Sequence, residues 1–377
     1  MTEHRPNAPE IGHAPEAGHA QVGSPKRILS PFESWPPVLF YAPVIVYWLL
    51  LALRHRSLTL PAVANPQIEH GGLCGESKTK LFGSMAPEGR EWLAPYVSFV
   101  RGDESTIDRD VERLTAELDS AGLEFPLVAK PDVGCHGAGV RLVHDRAELR
   151  AYLRAFPAHE RLLIQHFVDY EGEAGIFYVR RPNDAVGRIF SMTLKYFPTV
   201  IGDGVSTLGQ LIRHDPRAGR LAHMYLPRHQ HRIHWVPPEG KRVRLVFAGN
   251  HCKGAMFRNG GRLVTPELAR RIDELARTIP SFHFGRFDVR FRSLGELMQG
   301  QGFTIVEFNG GGSEATHIWD PDTTLLSAYR DLFAQTRILF EIGAAHREVG
   351  HEPAGWRVLL ASWLREQQLK RAYPLTE

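Results

Sequence analysis

Two runs decide how this chain is read: Gly-Arg-Phe-Asp-Val-Arg-Phe (285–291), and Phe-Thr-Ile-Val-Glu-Phe-Asn (303–309) with Gly310, Gly311, Gly312 and Ser313 behind it. Both alternate apolar and polar residues and are separated by a polar, glycine-bearing turn, the pattern of an antiparallel strand pair. Glu307 and Asn309 are two apart and so share one sheet face, and Asp288 sits among apolar neighbours on the partner run. Three oxygen-bearing side chains converging on a sheet suit a hard divalent cation such as Mg²⁺. An ordinary hairpin with a polar outer face fits the same letters, and both readings stay open on this stretch alone.

Working outward, the 377 residues are enough for two or three subdomains with a real core. The composition is that of a globular protein, 43% hydrophobic and 23% charged. A formal net charge of only +3 gives no reason to expect a nucleic-acid partner. Cys74, Cys135 and Cys252 make no metal-ligand or CxxC spacing, and so sparse and odd a set suits a reducing compartment.

Residues 1–34 are rich in Pro, Gly, Ala and His and too poor in apolar residues to offset chain entropy, so a disordered tail is expected there. Residues 35–56 change character: WPPVLFYAPVIVYWLLLAL carries no charge and is followed by Arg54, His55 and Arg56. A membrane span needs about 20 apolar residues, and this run stands at that limit with Pro43 inside it. Three readings stay open: a helix anchored at the cytoplasmic membrane face, a single span, and a helix packed within the protein or between copies of it.

Residues 57–122 read as an N-terminal subdomain with a helix from about Ile107 to Ala121, and Lys78 and Lys80 open another helix. Leu127–Lys130 is a short buried-type strand ending in a lysine. The loop Pro131–Gly139 follows, its glycines allowing backbone N–H groups to approach an anion, and Val140–Val143 returns. The lysine precedes the glycines, so this is no Walker A loop; a plain turn and a phosphate loop both fit. A helix over 146–156 and strands over 161–168, 173–179 and 190–197 come next, the last bearing Lys195. Residues 200–212 form a turn and a short helix capped by Ser206 or Thr207. The Arg- and His-dense stretch 213–234 is either an anion-binding lid or a solvated basic loop. Residues 266–279 are an amphipathic helix whose Leu268, Ile272, Leu275 and Ile279 face a core. Residues 323–369 are helical without evident chemistry.

The order of these blocks carries a resemblance. A Lys-Pro strand with its glycine hairpin is followed by Ile-Gln-His-Phe (164–167) and Glu-Gly-Glu (171–173), then by Asp288 and Glu-Phe-Asn (307–309). This resembles the ATP-grasp superfamily of carboxylate–amine ligases over about Lys78 to Tyr329. PLVAKPDVGCHGAGV, FGRFDVRF and IVEFNGGGSEATH look like segments of D-alanine–D-alanine ligases. VIGDGVSTLGQLI and VPPEGKRVRLVFAGNHCKGA look like the ATP-grasp part of cyanophycin synthetases. The resemblance implies an α+β ATP-grasp fold, two α/β subdomains gripping ATP between antiparallel sheets. The subdomains would be a small lid over 123–200 and a large catalytic part over 201–345, preceded by the apolar helix and followed by a helical tail over 346–377.

Residue by residue, the resemblance puts the nucleotide phosphates on Lys130, Gly134, His136, Gly137 and Gly139, with Lys80 and Lys195 as further phosphate contacts. It puts adenine against Gln165, His166, Phe167 and Val168, where many relatives carry an acidic residue in place of Gln165, and the ribose on Glu173. Asp288, Glu307 and Asn309 would hold one or two Mg²⁺, with Mn²⁺ as a substitute. Arg286 would stabilise an oxyanion, on the D-alanine ligase likeness alone, with Lys195 beside it. The acceptor pocket would draw on Arg242, Arg244, Asn250, Ser313 and His317. The activity implied is activation of a carboxylate by ATP as an acylphosphate and its transfer to an amine, giving ADP and phosphate. Attack of one anion on another needs cations to offset repulsion, and the tetrahedral intermediate needs a donor for its oxyanion. Small or peptide-like acids and amines would be the substrates, in the cytoplasm or at the inner membrane face, and relatives are often dimers. A phosphoryl-transfer enzyme or a non-catalytic nucleotide module would use the same pocket. With Asp288 read as a metal ligand, Asp288→Asn is expected to end turnover and leave folding nearly intact.

Overall fold

The computed structural model describes residues 27, 29–33, 35–134, 137–246, 249 and 254–376. The expected disordered tail lies mostly outside these residues, but its end does not behave as one. Phe32 is buried, and Glu33 pairs with Arg217 at 2.8 Å.

Helix α1 (Pro37–His55) starts on Pro37, whose missing N–H costs nothing in a first turn, and ends at Arg56 in the left-handed region. Helix α2 (Lys78–Ser84) is capped by Ser77, whose hydroxyl accepts from Lys80 N, and the short α3 (Pro87–Arg90) follows. The smaller unit is then built from β1 (Tyr96–Val100), α4 (Ile107–Ser120), β2 (Leu127–Pro131), β3 (Arg141–Val143), α5 (Arg146–Ala155) and β4 (Arg161–His166). Its four strands form an antiparallel sheet in the order β1-β4-β2-β3. Strand alternation does the sorting: Leu127 and Ala129 of β2 and Leu162 and Ile164 of β4 join the α4–α5 core, so Lys130 and Gln165 project from the opposite face.

Strands β5 (Gly172–Val179) and β6 (Arg188–Tyr196) open the larger sheet. Between them and its next strand lies an inserted unit of β7 (Thr199–Ile201), α6 (Leu208–His214), α7 (Ala222–Arg228) and β8 (Arg242–Arg244). Thr207 caps α6 with a complete capping box, its hydroxyl meeting Gln210 N while the Gln210 side chain returns to Thr207 N. The larger sheet resumes with β9 (Met256–Asn259), crosses helix α8 (Pro266–Arg277), and is completed by β10 (Phe284–Phe291), α9 (Leu294–Met298) and β11 (Phe303–Asn309). All neighbours are antiparallel, in the order β11-β10-β5-β6-β9.

Phe287 and Val289 of β10 and Ala174 and Ile176 of β5 pack onto Leu268, Ile272, Leu275 and Ala276 of α8. Replacing a buried leucine such as Leu268 by alanine would cost about 2–5 kcal/mol. Arg286, Asp288 and Arg290 therefore share the other face of β10. Helix α10 (Leu325–Glu348) covers one end of that face through Ile338, Leu339 and Ile342 against Phe177 and Val179, and α11 (Trp356–Ala372) follows. What remains uncovered is the polar end of the sheet. Helix α1 lies along α10: Tyr329 donates to Phe40 O, Trp48 packs edge-on against Phe340, and Arg347 donates to His55 O.

Candidate active site

The hairpin expected over 285–309 is β10 paired with β11, Asp288 directly opposite Glu307 and Arg286 opposite Asn309. A register shift between Asp288 and Val289 follows the pair. Asp288 is buried and accepts three hydrogen bonds, of the roughly four a carboxylate can take. Arg286 supplies two, Nε to Oδ1 and Nη2 to Oδ2, both at 3.0 Å, and Lys195 Nζ supplies the third at 2.9 Å. Burial works against its charge, but Arg286 and Lys195 outweigh that and hold the carboxyl down to about 2.

The network extends along the floor of the sheet. Lys195 also donates to Glu173 Oε1 at 3.0 Å, and Glu173 Oε2 meets Arg290 Nε at 3.1 Å. Burial pulls the Lys195 ammonium down, yet Asp288 and Glu173 more than compensate, so its pKa ends above the ordinary lysine value. Arg286 Nη1 reaches Glu314 O at 3.2 Å. Gly175 on β5 makes room for this: a Cβ there would stand 3.1 Å from both the Arg286 side chain and Asp288 Oδ1. Phe197 completes the floor, with the guanidinium of Arg244 3.3 Å and that of Arg290 4.8 Å from its ring centroid. Burial, and then Arg290, push Arg244 down to about 10. Arg286, Arg290 and Lys195 are paired with Glu173 and Asp288, and Glu307 and Glu314 also act on Arg286, so cations and carboxylates alternate along this floor.

The smaller sheet supplies the facing wall. Lys130 Nζ donates to Gln165 Oε1 at 2.6 Å and Val306 O at 2.9 Å, and burial lowers it to about 8. Lys78 Nζ donates to Gly134 O at 2.7 Å and stands 3.5 Å from Glu307 Oε1. Glu76 lies alongside, accepting from Gly310 N at 3.3 Å, and burial raises it to about 7.

The structure thus brings Lys130, Lys195, Glu173, Arg286, Asp288, Glu307, Asn309 and Arg244 around one space. Several expected residues are engaged by other protein groups. Lys80 is exposed and pairs with Glu69 at 3.1 Å; two positions apart on a helix, Lys78 and Lys80 point different ways, and Lys78 is the inward one. Arg242 is exposed on β8. Ser313 donates to Asn309 O and Gly310 O, closing the turn after β11. His317 is buried and bonds Asp331 at 2.9 Å. The side chain of Gln165 anchors Lys130 and donates to Ala94 O, while His166 N is taken by Pro95 O. Phe167 and Val168 continue the chain just past β4, half-buried and buried. Glu173 is committed to two cations, and Gly249 lies close enough that a Cβ would meet its carboxylate at 2.8 Å. His136 and Asn250 lie outside the described residues. The basic stretch 213–234, expected as an anion-binding lid or a solvated loop, is largely helix and turn where described, with Arg213, His214, Arg220 and His223 exposed. It folds as α7 and short turns over a core of Leu208, Ile212, Tyr225 and Val243, with Arg217 held by Glu33, Gly254 O and Ala255 O.

Arg290, Glu76 and Phe197 are not singled out in the sequence, and Lys78 is named there only as opening a helix. For Arg290 a signal existed: it continues the period-two face of Arg286 and Asp288. Lys78 was one of two lysines that only helix orientation separates, and nothing in the letters marks Glu76 or Phe197.

Among the described residues no three His, Cys, Asp or Glu side chains converge as a metal site. A divalent cation here would rest on Asp288, Glu307 and the amide of Asn309. The donor set is all oxygen, as such a cation prefers, and Asp288 keeps one acceptor site to spare; Arg286 and Lys195 hold its other sites, and their charges work against a cation there.

Two antiparallel sheets facing each other across a cleft are the ATP-grasp fold. Residues 96–192 match the family described as RimK-like ATP-grasp domain. Two curated proteins from Streptococcus agalactiae, serotypes V and III, each named glutathione biosynthesis bifunctional protein GshAB, are 23% identical over 204 residues, 49% of this chain and 26% of the relative. The chain thus spans about a quarter of the length of these relatives. Among solved structures, a bifunctional glutathione synthetase from Pasteurella multocida is similar at 14% identity and TM-score 0.34, covering 68% of this chain and 36% of the other. D-alanine–D-alanine ligase from Bacillus anthracis is similar at 15% identity and TM-score 0.41, covering 74% and 69%.

Proposed function

We propose that this chain is an ATP-dependent ligase that activates a carboxylate as an acylphosphate and joins it to an amine, releasing ADP and phosphate. The observation that carries the reading is the Lys195–Asp288–Arg286 network on one sheet, with Lys130 facing it from the other. Lys130, Lys78 and the glycine hairpin hold the nucleotide phosphates. Lys195 and Arg286, kept protonated by Asp288, offset the repulsion between carboxylate and γ-phosphate. Arg286 then faces the oxyanion that forms when the amine attacks. Mg²⁺ bound by Asp288, Glu307 and Asn309 would supply further charge neutralisation at the phosphates. The relatives named for glutathione biosynthesis and D-alanine ligation support a small or peptide-like acid and amine. The test is a screen of acid and amine pools for nucleotide turnover. ADP formed only when both partners are present is the expected result, and AMP as product contradicts the reading.

We further propose that the enzyme works at a membrane face. Helix α1 packs by one side only, while Val38, Leu39, Ile45, Val46, Leu49, Leu50 and Leu53 form an exposed apolar stripe on the other, ending at Arg54 and Arg56. A stripe of that extent supports contact with lipid headgroups and acyl chains, and the contacts with α10 favour a helix lying in the interface over one crossing it. Because Phe40 and Leu51 are buried, deleting residues 35–56 would damage the core and test nothing. Val46→Glu with Leu50→Glu is the sound variant: it should abolish flotation with anionic vesicles, and unchanged flotation would refute the placement.

A further inference from the structure

The backbone of the glycine hairpin is held from outside the cleft by residues that follow α11. Thr376 Oγ1 accepts from Gly139 N at 3.1 Å and donates to Gly137 O at 2.8 Å. Tyr373 donates its hydroxyl to Val133 O at 2.7 Å, and its ring stacks on Phe156 with centroids 5.4 Å apart, inside the core of the smaller unit. The fit is close: a Cβ at Gly139, which has φ +70°, would meet the Tyr373 side chain at 3.0 Å. Gly139 O is occupied too, by Tyr152.

The same short segment reaches the larger unit. Arg228 on α7 donates from Nε to Thr376 O at 3.1 Å and from Nη1 to Met224 O at 2.6 Å. Nearer the cleft, Glu366 of α11 accepts from Gly75 N at 2.9 Å, next to Glu76 and Lys78. Residues 366–376 therefore tie the hairpin of the small sheet to the inserted unit of the large one. They do so through one buried and several part-buried polar bonds, which cost free energy when one partner is removed.

We infer that Tyr373–Thr376 is a strap that positions the glycine hairpin for nucleotide phosphates, with Thr376 as its positioning residue; this rests on reading that hairpin as the phosphate loop. A glycine-rich loop is conformationally permissive, so ordering it on binding costs entropy. Peptide planes fixed beforehand at Val133, Gly137 and Gly139 lower that cost and leave binding energy for the phosphates. The hydroxyl works from the outer side of the hairpin, where it fixes the turn without entering the cleft.

The experiment uses the full chain with Thr376→Val, which keeps the shape and removes the hydroxyl, and Thr376→Ser, which keeps the hydroxyl. Mg–ATP affinity is measured by calorimetry, and exchange of the Gly139 amide is followed without nucleotide. Thr376→Val should weaken Mg–ATP binding by about tenfold and speed exchange at Gly139, and Thr376→Ser should restore both. Arg228→Gln, which loosens the strap from its far end, should shift both readouts the same way by less, and serves if Thr376→Val fails to fold. Unchanged or tighter Mg–ATP binding by Thr376→Val, with wild type binding normally, overturns the strap alone. Absence of nucleotide binding by wild type overturns the reading of the hairpin, and the strap with it.

Discussion

Replacing Asp288 by asparagine is a test of the buried network before it is a test of catalysis. The substitution keeps size and shape but removes the charge that faces Arg286 twice and Lys195 once. Breaking a buried ion pair from one side costs about 3–5 kcal/mol, because the other charge is left uncompensated in a poor dielectric. Two observations put this case at the low end. Lys195 keeps Glu173 and Arg286 keeps Glu314 O, so neither cation is stripped of every partner. The expectation is a loss of about 3 kcal/mol, against the near-intact folding that the sequence alone suggested. Chemical denaturation followed by tryptophan fluorescence measures it. The double variant Asp288→Asn with Arg286→Met sharpens the argument: with the orphaned guanidinium gone, it should be no less stable than Asp288→Asn alone. If Asp288→Asn is neutral, or the two losses simply add, the network does not balance charge as described.

Lys130, lowered by burial to about 8, should lose its charge as pH rises through that value, so Mg–ATP affinity should fall by up to about tenfold per pH unit above it. Titration between pH 7 and 9.5 checks this, and Lys130→Met should bind weakly and without that dependence. The sign for stability is opposite: the fold disfavours the charged lysine, so stability increases as pH rises from about 8 toward the ordinary lysine value. Glu76, raised by burial to about 7, is protonated in the fold where an unfolded chain is already ionised, so it costs stability increasingly from pH 4.5 to 7. Glu76→Gln should therefore raise the melting temperature at pH 8 and change it little at pH 4. Tyr41→Phe removes the 2.6 Å bond from α1 to Glu314, whose carbonyl holds Arg286, and should cost about 1 kcal/mol in thermal unfolding.

Strand alternation made most of the fold legible. The faces of β10 and β11 follow from period two, and the core face of α8 from its leucine and isoleucine spacing. Residue type and sheet face sufficed to bring Asp288 and Glu307 together, whereas Arg286 and Lys195 entered through the family resemblance. The site was not legible where orientation depends on contacts distant in sequence. Lys78 and Lys80 look alike until Gly134 and Glu307 select one of them. Glu173 reads as an open ribose ligand until Arg290 and Lys195 claim both oxygens. His317 and Ser313 read as acceptor-site groups; Asp331 takes His317 Nε2 and the turn's own carbonyls take the Ser313 hydroxyl. Residues 346–377 read as a helical tail without chemistry, because nothing local announces that Thr376 meets Gly137 and Gly139.

The central claim is that a carboxylate oxygen attacks the γ-phosphate and leaves with it. The most direct measurement supplies the accepted acid with both carboxylate oxygens labelled as ¹⁸O, together with ATP and the amine, and reads the mass of the released phosphate. The account predicts one ¹⁸O in each phosphate, carried over when the amine displaces it from the acylphosphate. Unlabelled phosphate, or label recovered in AMP, would contradict it.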